Sequence, residues 1–143
     1  GNSPMIYNTN SYYPQLEDAG RFIRWYAQSW SDTVQIYVPN NNEVPFPIGT
    51  QIHFIKDQGI QVFMFWNGTD GNDGDITILP SSPNFDQNMQ YNMYNSGEGW
   101  SVHHPDIWNS DYQIPCKVTL TKIDTNRWLL SCDSPSQVMD WNW

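Results

Sequence analysis

Short stretches of the chain alternate apolar and polar residues with a period of two, which is the spacing of a strand with one buried face. They cover residues 34–38, 52–54, 76–78 and 118–121, and clusters of Pro, Asn, Gly and Asp separate them. Every helix-length window contains Gly, Pro or Asn or lacks a clean 3.6-residue period. The pattern predicts an all-β fold, a small antiparallel β-sandwich of jelly-roll or Ig-like type.

The clearest hairpin spans residues 117–133. With Leu120 opposite Leu130, Ile123 pairs with Arg127, and residues 124–126 form a loop in which Asn126 suits a left-handed position. This register gives a core face that consists of Val118, Leu120, Trp128, Leu130 and Cys132. Trp128 is therefore expected to pack in the core. The register sets Cys116 diagonal to Cys132, which disfavours a disulfide between them but leaves it open.

The chain has 143 residues, which is the size of one domain. We expect residues 1–15 to be an N-terminal arm or the remainder of a longer chain, residues 16–133 the sandwich, and residues 134–143 a tail. Residues 81–113 show no sustained period, yet they are too aromatic for a disordered segment. They are predicted to be a long, ordered, aromatic-rich insertion, either an elaborated loop or a loop plus a hairpin, that lies over one end of the sandwich.

Charge excludes some classes of partner. The formal net charge is −9, whereas a protein that binds nucleic acid needs a basic face. An acidic chain is also a poor ligand for an anionic membrane surface. No apolar run approaches the roughly 20 residues of a transmembrane helix. We therefore expect no nucleic-acid partner and no membrane insertion.

Several motifs follow one another in a fixed order along residues 16–133: AG, IR, VPN, FPIGTQI, GIQV, LTKI and WLL. In this order they resemble a small β-domain that recurs in virion proteins of tailed bacteriophages, in tail fibres, baseplate appendages and head decorations. The resemblance implies a location in the virion and a scaffold without chemistry of its own. The residues of the motif that we expect to be structural are Phe46, Gly49, Thr50 and Trp128.

Motifs for catalysis and for metal binding are weak. The chain has no Gly-x-Ser-x-Gly, phosphate loop or His-Glu-x-x-His, and we expect no enzyme. Asp70, Asn72 and Asp75 offer oxygen ligands for calcium, although Asp-Gly stretches are more often simple turns. His103 and His104 with Asp106 could hold a transition metal, or could be solvated loop histidines. Apart from a calcium ion, no cofactor is expected.

The aromatic surplus is the strongest indication of function. Aromatic residues make up 15% of the chain, which contains 8 Trp, and Trp and Tyr concentrate at binding surfaces. Sugar rings stack on such side chains, while amides and carboxylates bond their hydroxyl groups. The candidate ligand-binding residues are Trp66, Tyr94, Trp100, His103, His104, Asp106 and Trp108, and we expect Trp100 or Trp108 to be exposed. Alternatively, these rings form a secondary core or contact neighbouring subunits.

Three functions fit these observations. The first is a non-catalytic domain of a phage tail fibre or receptor-binding appendage, a homotrimer in some fibres, that contacts a polysaccharide of the host cell surface. The second is a structural module for capsid decoration, cementing or fibre assembly, whose partners are other virion subunits. The third is a secreted carbohydrate-binding module.

Overall fold

The computed structural model describes residues 5–7, 10–25, 32–56, 60–80, 92–95, 99–103 and 116–133. Most of these residues lie in strands and very few in a helix, which confirms the all-β prediction. The elements in chain order are β1 (Met5–Tyr7), β2 (Ser11–Tyr12), a 3-10 helix (Leu16–Asp18), β3 (Phe22–Trp25), β4 (Asp32–Val38), β5 (Gln51–Lys56), β6 (Ile60–Asn67), β7 (Thr77–Pro80), β8 (Asn92–Asn95), β9 (Gly99–His103), β10 (Cys116–Asp124) and β11 (Arg127–Asp133).

The strands form two mixed sheets. Sheet A has six strands in the order β1-β3-β5-β10-β11-β7, and sheet B has five in the order β2-β4-β6-β9-β8. From β1 to β7 the chain alternates between the sheets, so that β1, β3 and β5 run parallel, as do β2, β4 and β6. The prediction of an antiparallel sandwich is therefore wrong for this half, and the uniformly antiparallel pairing of jelly-roll and Ig-like domains is not followed.

The inward faces of the two sheets share one buried core. Trp25 of β3 meets Phe63 of β6 edge to face, with ring centroids 5.5 Å apart. Phe54 of β5 meets Phe65 of β6 in the same way and at the same distance. All four side chains are at most 1% exposed. Because buried aromatic rings remove large apolar areas from water, these contacts are a main source of the attraction between the sheets.

The hairpin of β10 and β11 has the predicted register, with Leu120 opposite Leu130, and Trp128 is buried in the core. Its loop differs from the prediction. A bulge before Asp124 pairs this residue, and not Ile123, with Arg127, so the turn has two residues. Asn126 takes the expected left-handed conformation, at φ 58°. Cys132 is half-buried against the core and carries a thiol.

The register also places Lys122 opposite Trp128 on the core face, where its side chain is only 2% exposed. The motif FPIGT wraps around this lysine. Phe46 packs its ring edge to face against Trp128, 5.6 Å between centroids. The amide of Gly49 donates to the Lys122 carbonyl at 2.7 Å, and the Lys122 amide donates to the carbonyl of Thr50 at 2.9 Å. Gly49 has φ +95°, a conformation that favours glycine.

Strands lie within two of the segments that were predicted from the sequence. Within residues 1–15, which were expected to be an arm or the remainder of a longer chain, β1 and β2 are edge strands, one in each sheet. Within residues 81–113, which were predicted to be an elaborated loop or a loop plus a hairpin, β8 and β9 form an antiparallel pair, and β9 also pairs with β6 of sheet B. The predicted tail, residues 134–143, lies outside the described residues. Within the described ranges, no helix has the length and hydropathy to span a membrane.

Candidate functional site

The outer face of sheet B carries aromatic and amide side chains. In β4 and β6, buried apolar residues alternate with residues that face away from the core. Among the outward residues, Gln35 pairs with Met64, and Tyr37 pairs with Trp66. Together with Tyr13, which follows β2, the side chains of Gln35, Tyr37 and Trp66 form a contiguous group that we call the aromatic platform.

Two tyrosine rings stack at one side of the platform. The rings of Tyr13 and Tyr37 are nearly parallel, with an interplanar angle of 8° and centroids 4.7 Å apart. Tyr13 is still 46% exposed. Its neighbour Tyr12 faces the core instead, where it contacts Trp25 and donates a 2.5 Å hydrogen bond to Asp18. The short strand β2 therefore anchors Tyr12 inside and presents Tyr13 outside.

The amide of Gln35 joins the tyrosines to Trp66. Its Oε1 accepts a 3.1 Å hydrogen bond from Trp66 Nε1 and a longer one, at 3.4 Å, from the hydroxyl group of Tyr37. An indole N–H can only donate, so the amide must present its oxygen to Trp66. The NH₂ group of Gln35, which lies between the tyrosine pair and the indole, can therefore donate hydrogen bonds to a ligand.

The loop after β6 supports the indole of Trp66. A β-carbon added to Gly71 would lie 3.4 Å from a ring atom of Trp66, so the backbone passes close to the ring. Gly71 has φ +77°, and Asp73 organises the rest of the loop. Its two carboxylate oxygens accept hydrogen bonds of 2.9 Å from the side chain of Asn40 and 3.0 Å from the amide of Asp75.

The predicted calcium ligands Asp70, Asn72 and Asp75 take part in hydrogen bonds within this loop. Oδ1 of Asp70 accepts a 2.9 Å hydrogen bond from the amide of Asn72, so this carboxylate closes a turn. Within the described ranges, His, Cys, Asp and Glu form no group of three or more that could hold a metal ion. Calcium binding at this loop remains a prediction, while the transition-metal candidates His104 and Asp106 lie outside the described residues.

Two of the predicted ligand-binding residues, Trp66 and Trp100, lie on opposite faces of sheet B. Trp66 belongs to the platform. Trp100 pairs with Phe65 and packs half-buried against the core, on the opposite face of sheet B. Tyr94 pairs with Ser101, and His103 with Val62, but the side chains of Tyr94 and His103 are outside the described part of the chain. Trp108, His104 and Asp106 lie entirely outside the described residues.

Sequence reasoning missed three members of the platform, Tyr13, Gln35 and Tyr37. The alternation of TVQIYV contained the signal for two of them, because it sets Gln35 and Tyr37 on the face opposite to the apolar residues. Tyr13 could not be found in this way. Its position depends on β2 pairing in parallel with β4, a long-range contact.

Charges are distributed unevenly between the two sheets. The chain has 6 Lys and Arg residues, and none lies in a strand of sheet B. Lys56 and Lys122 are buried in sheet A. Arg24, Lys117 and Arg127 alternate with buried residues of β3, β10 and β11, which places them on the outer face of sheet A. The platform therefore lies on the face without cationic strand residues.

Comparison with known proteins found no matching family model, no matching curated protein and no matching solved structure.

Proposed function

We propose that this chain is a non-catalytic domain of a tailed-phage virion appendage, and that its aromatic platform binds a polysaccharide of the host cell surface. The observation that carries the binding proposal is the amide of Gln35, oriented by Trp66 beside the stacked rings of Tyr13 and Tyr37. The order of motifs along residues 16–133 supports the assignment to a virion.

The chemistry of the platform suits a sugar. Pyranose rings have apolar C–H faces, which stack on exposed aromatic rings, and hydroxyl groups, which need hydrogen-bond partners at defined positions. Tyr13 supplies an exposed ring, and Gln35 supplies a fixed donor beside it. The hydroxyl groups of the two tyrosines can also bond to sugar hydroxyls.

A platform of this size gives weak binding. One or two stacked rings and a few hydrogen bonds correspond to a Kd on the order of micromolar to millimolar. A virion compensates for weak sites by presenting many copies, since linked sites gain from effective concentration. A homotrimer of the domain would supply the first level of this multivalency.

The experiment is an array of bacterial surface polysaccharides probed with the whole 143-residue chain. Two variants alter the platform. Tyr13→Ala removes the exposed ring, and Trp66→Phe retains a ring but removes the N–H that orients Gln35. Phe22→Ala is the matched control, because Phe22 is a half-buried ring that stacks on His53 on the outer face of sheet A.

We expect the wild type and Phe22→Ala to bind the same polysaccharides. Tyr13→Ala should bind about tenfold more weakly, which corresponds to roughly 1.4 kcal/mol. Trp66→Phe should weaken binding to a smaller extent. Unchanged binding in folded platform variants would remove the platform from the site. Failure of the wild type to bind any polysaccharide, together with binding to a virion subunit, would favour the decoration or fibre-assembly role.

A further inference from the structure

We infer that the aromatic platform selects neutral saccharides and rejects acidic ones, an inference that rests on the proposed function of the platform. Three observations on described residues support it: the absence of Lys and Arg from the strands of sheet B, the acidic loop beside Trp66, and the uncharged donor at Gln35.

The first observation concerns cations. Sites for carboxylated or phosphorylated sugars use Arg or Lys, because charge-assisted hydrogen bonds compensate the loss of hydration of the anion. The strands of sheet B contain no such residue. The outward cations Arg24, Lys117 and Arg127 belong to sheet A, on the other side of the core. An anion at the platform would lose hydration without gaining a cationic partner there.

The second observation concerns the acidic loop. Asp70 and Asp75 are exposed, and Asp70 directly precedes Gly71, whose backbone approaches the Trp66 ring. An acidic sugar stacked near Trp66 would therefore meet a like charge. Such juxtaposition is strongly unfavourable at an interface and acts against unsuitable partners. Salt screens this repulsion, because the Debye length falls from about 30 Å at 0.01 M to about 8 Å at 0.15 M.

The third observation concerns the donor itself. The NH₂ group of Gln35 is neutral, and its oxygen is already occupied by Trp66. A neutral donor pairs well with a hydroxyl oxygen or an amide carbonyl oxygen, both of which occur on neutral sugars. It does not provide the charge that would stabilise a buried carboxylate.

The test is affinity electrophoresis of the whole chain in native gels that contain one polymer each. Dextran, mannan and galactomannan are the neutral probes, and alginate and polygalacturonate are the acidic ones. Fully methyl-esterified polygalacturonate completes a matched pair, since it has the same sugar without the charge. Each gel is run at low and at physiological salt, with wild type and with Asp70→Asn. The latter retains the acceptor for the Asn72 amide but removes the charge.

Asp124→Asn is the matched control. This substitution changes the net charge of the chain as Asp70→Asn does, but it lies in the hairpin of sheet A, where Asp124 is exposed. We expect at least one neutral polymer, or the methyl ester, to retard the wild type. Acidic polymers should bind at least about tenfold more weakly at low salt. Asp70→Asn should reduce this ratio more than Asp124→Asn does.

Two outcomes would contradict the inference, and they are distinguishable. If acidic polymers retard the chain as strongly as neutral ones, and Tyr13→Ala abolishes this retardation, then selectivity for neutral sugars is wrong while the platform still binds glycan. If no polymer of either class retards the wild type, the inference fails, whereas the proposed function itself is decided by the array of bacterial surface polysaccharides.

Discussion

The ammonium group of Lys122 donates a 2.7 Å hydrogen bond to the carbonyl oxygen of Phe46 inside the protein. It also donates to Asn41 Oδ1 at 2.5 Å and lies 5.9 Å from the ring centroid of Trp128. A buried charge is tolerated only when hydrogen bonds replace its hydration. One side chain of the hairpin thereby fixes the segment that contains Asn41 and Phe46 over the end of the core.

Replacement of this lysine should destabilise the fold. Lys122→Met retains an unbranched apolar stem but leaves the Phe46 carbonyl without its donor, so we expect a loss of about 1–3 kcal/mol in the free energy of unfolding. Urea denaturation measures it. The control is Lys117→Met, the same substitution in the same strand but on the outer face, which should cost much less. Equal losses in both variants would contradict the role assigned to Lys122.

Lys122 should also make stability depend on pH. Burial lowers the pKa of Lys122 in the folded protein below the ordinary value of 10.5. At a pH between this lowered pKa and the pKa in the unfolded chain, Lys122 is protonated in the unfolded chain and largely deprotonated in the folded protein. Stability from this residue therefore rises as the pH rises through that interval. The measurement is the difference in unfolding free energy between wild type and Lys122→Met, from about pH 7 to about pH 10. A difference that shrinks with rising pH would have the wrong sign.

Gly99 allows β9 to pass close to β6. A β-carbon at this position would lie 2.3 Å from the carbonyl oxygen of Phe65 and 3.0 Å from the methyl carbon of Met64. Gly99→Ala should therefore force the strands apart and cost about 1–3 kcal/mol, as overpacking does. Gly74→Ala is the control, because nothing lies within 4 Å of its added carbon. Thermal unfolding of both variants tests this, and similar melting temperatures would refute it.

Asn126 has two roles in the hairpin turn that substitutions can separate. Its backbone is left-handed, at φ 58°, and its Oδ1 accepts a 2.7 Å hydrogen bond from the amide of Asn41. Asn126→Gly loses only the hydrogen bond, whereas Asn126→Ala also incurs the cost of the left-handed backbone, about 1 kcal/mol more. Chemical denaturation should rank wild type above Gly and Gly above Ala. If Ala proves as stable as Gly, backbone conformation is not limiting.

The sequence pattern predicted those parts of the fold that depend only on neighbouring residues, namely strand periodicity and turn conformation. Alternation identified the strands around Val34–Val38 and the core face of the last hairpin, since a side-chain period of two depends only on the strand itself. Asn126 was found because a tight turn needs a residue that tolerates positive φ. The bulge before Asp124 was missed, because both registers keep Leu120 opposite Leu130 and differ by one residue at the turn.

Pairing between distant strands was not predictable from the same patterns. Alternation shows that a strand has a buried face but not which sheet it joins, so the parallel pairing of β1–β3–β5 and β2–β4–β6 was missed. Most members of the candidate site were missed for the same reason, because long-range strand pairing brings them together. Trp66 was nominated for its residue type, whereas Tyr13 and Gln35 reach it only through sheet B, and Trp100 proved to face the core.

The position of the last hairpin in sheet A has a consequence for synthesis of the chain. β10 and β11 lie between β5 and β7, so Ile52 meets its neighbour Leu120 only after the ribosome has added the intervening residues. Until then β5 and β7 each present an unpaired edge and an apolar face, which makes a nascent chain prone to aggregation. Non-local pairing of this kind also folds slowly. The nascent domain therefore completes sheet A only after residue 133 has left the exit tunnel.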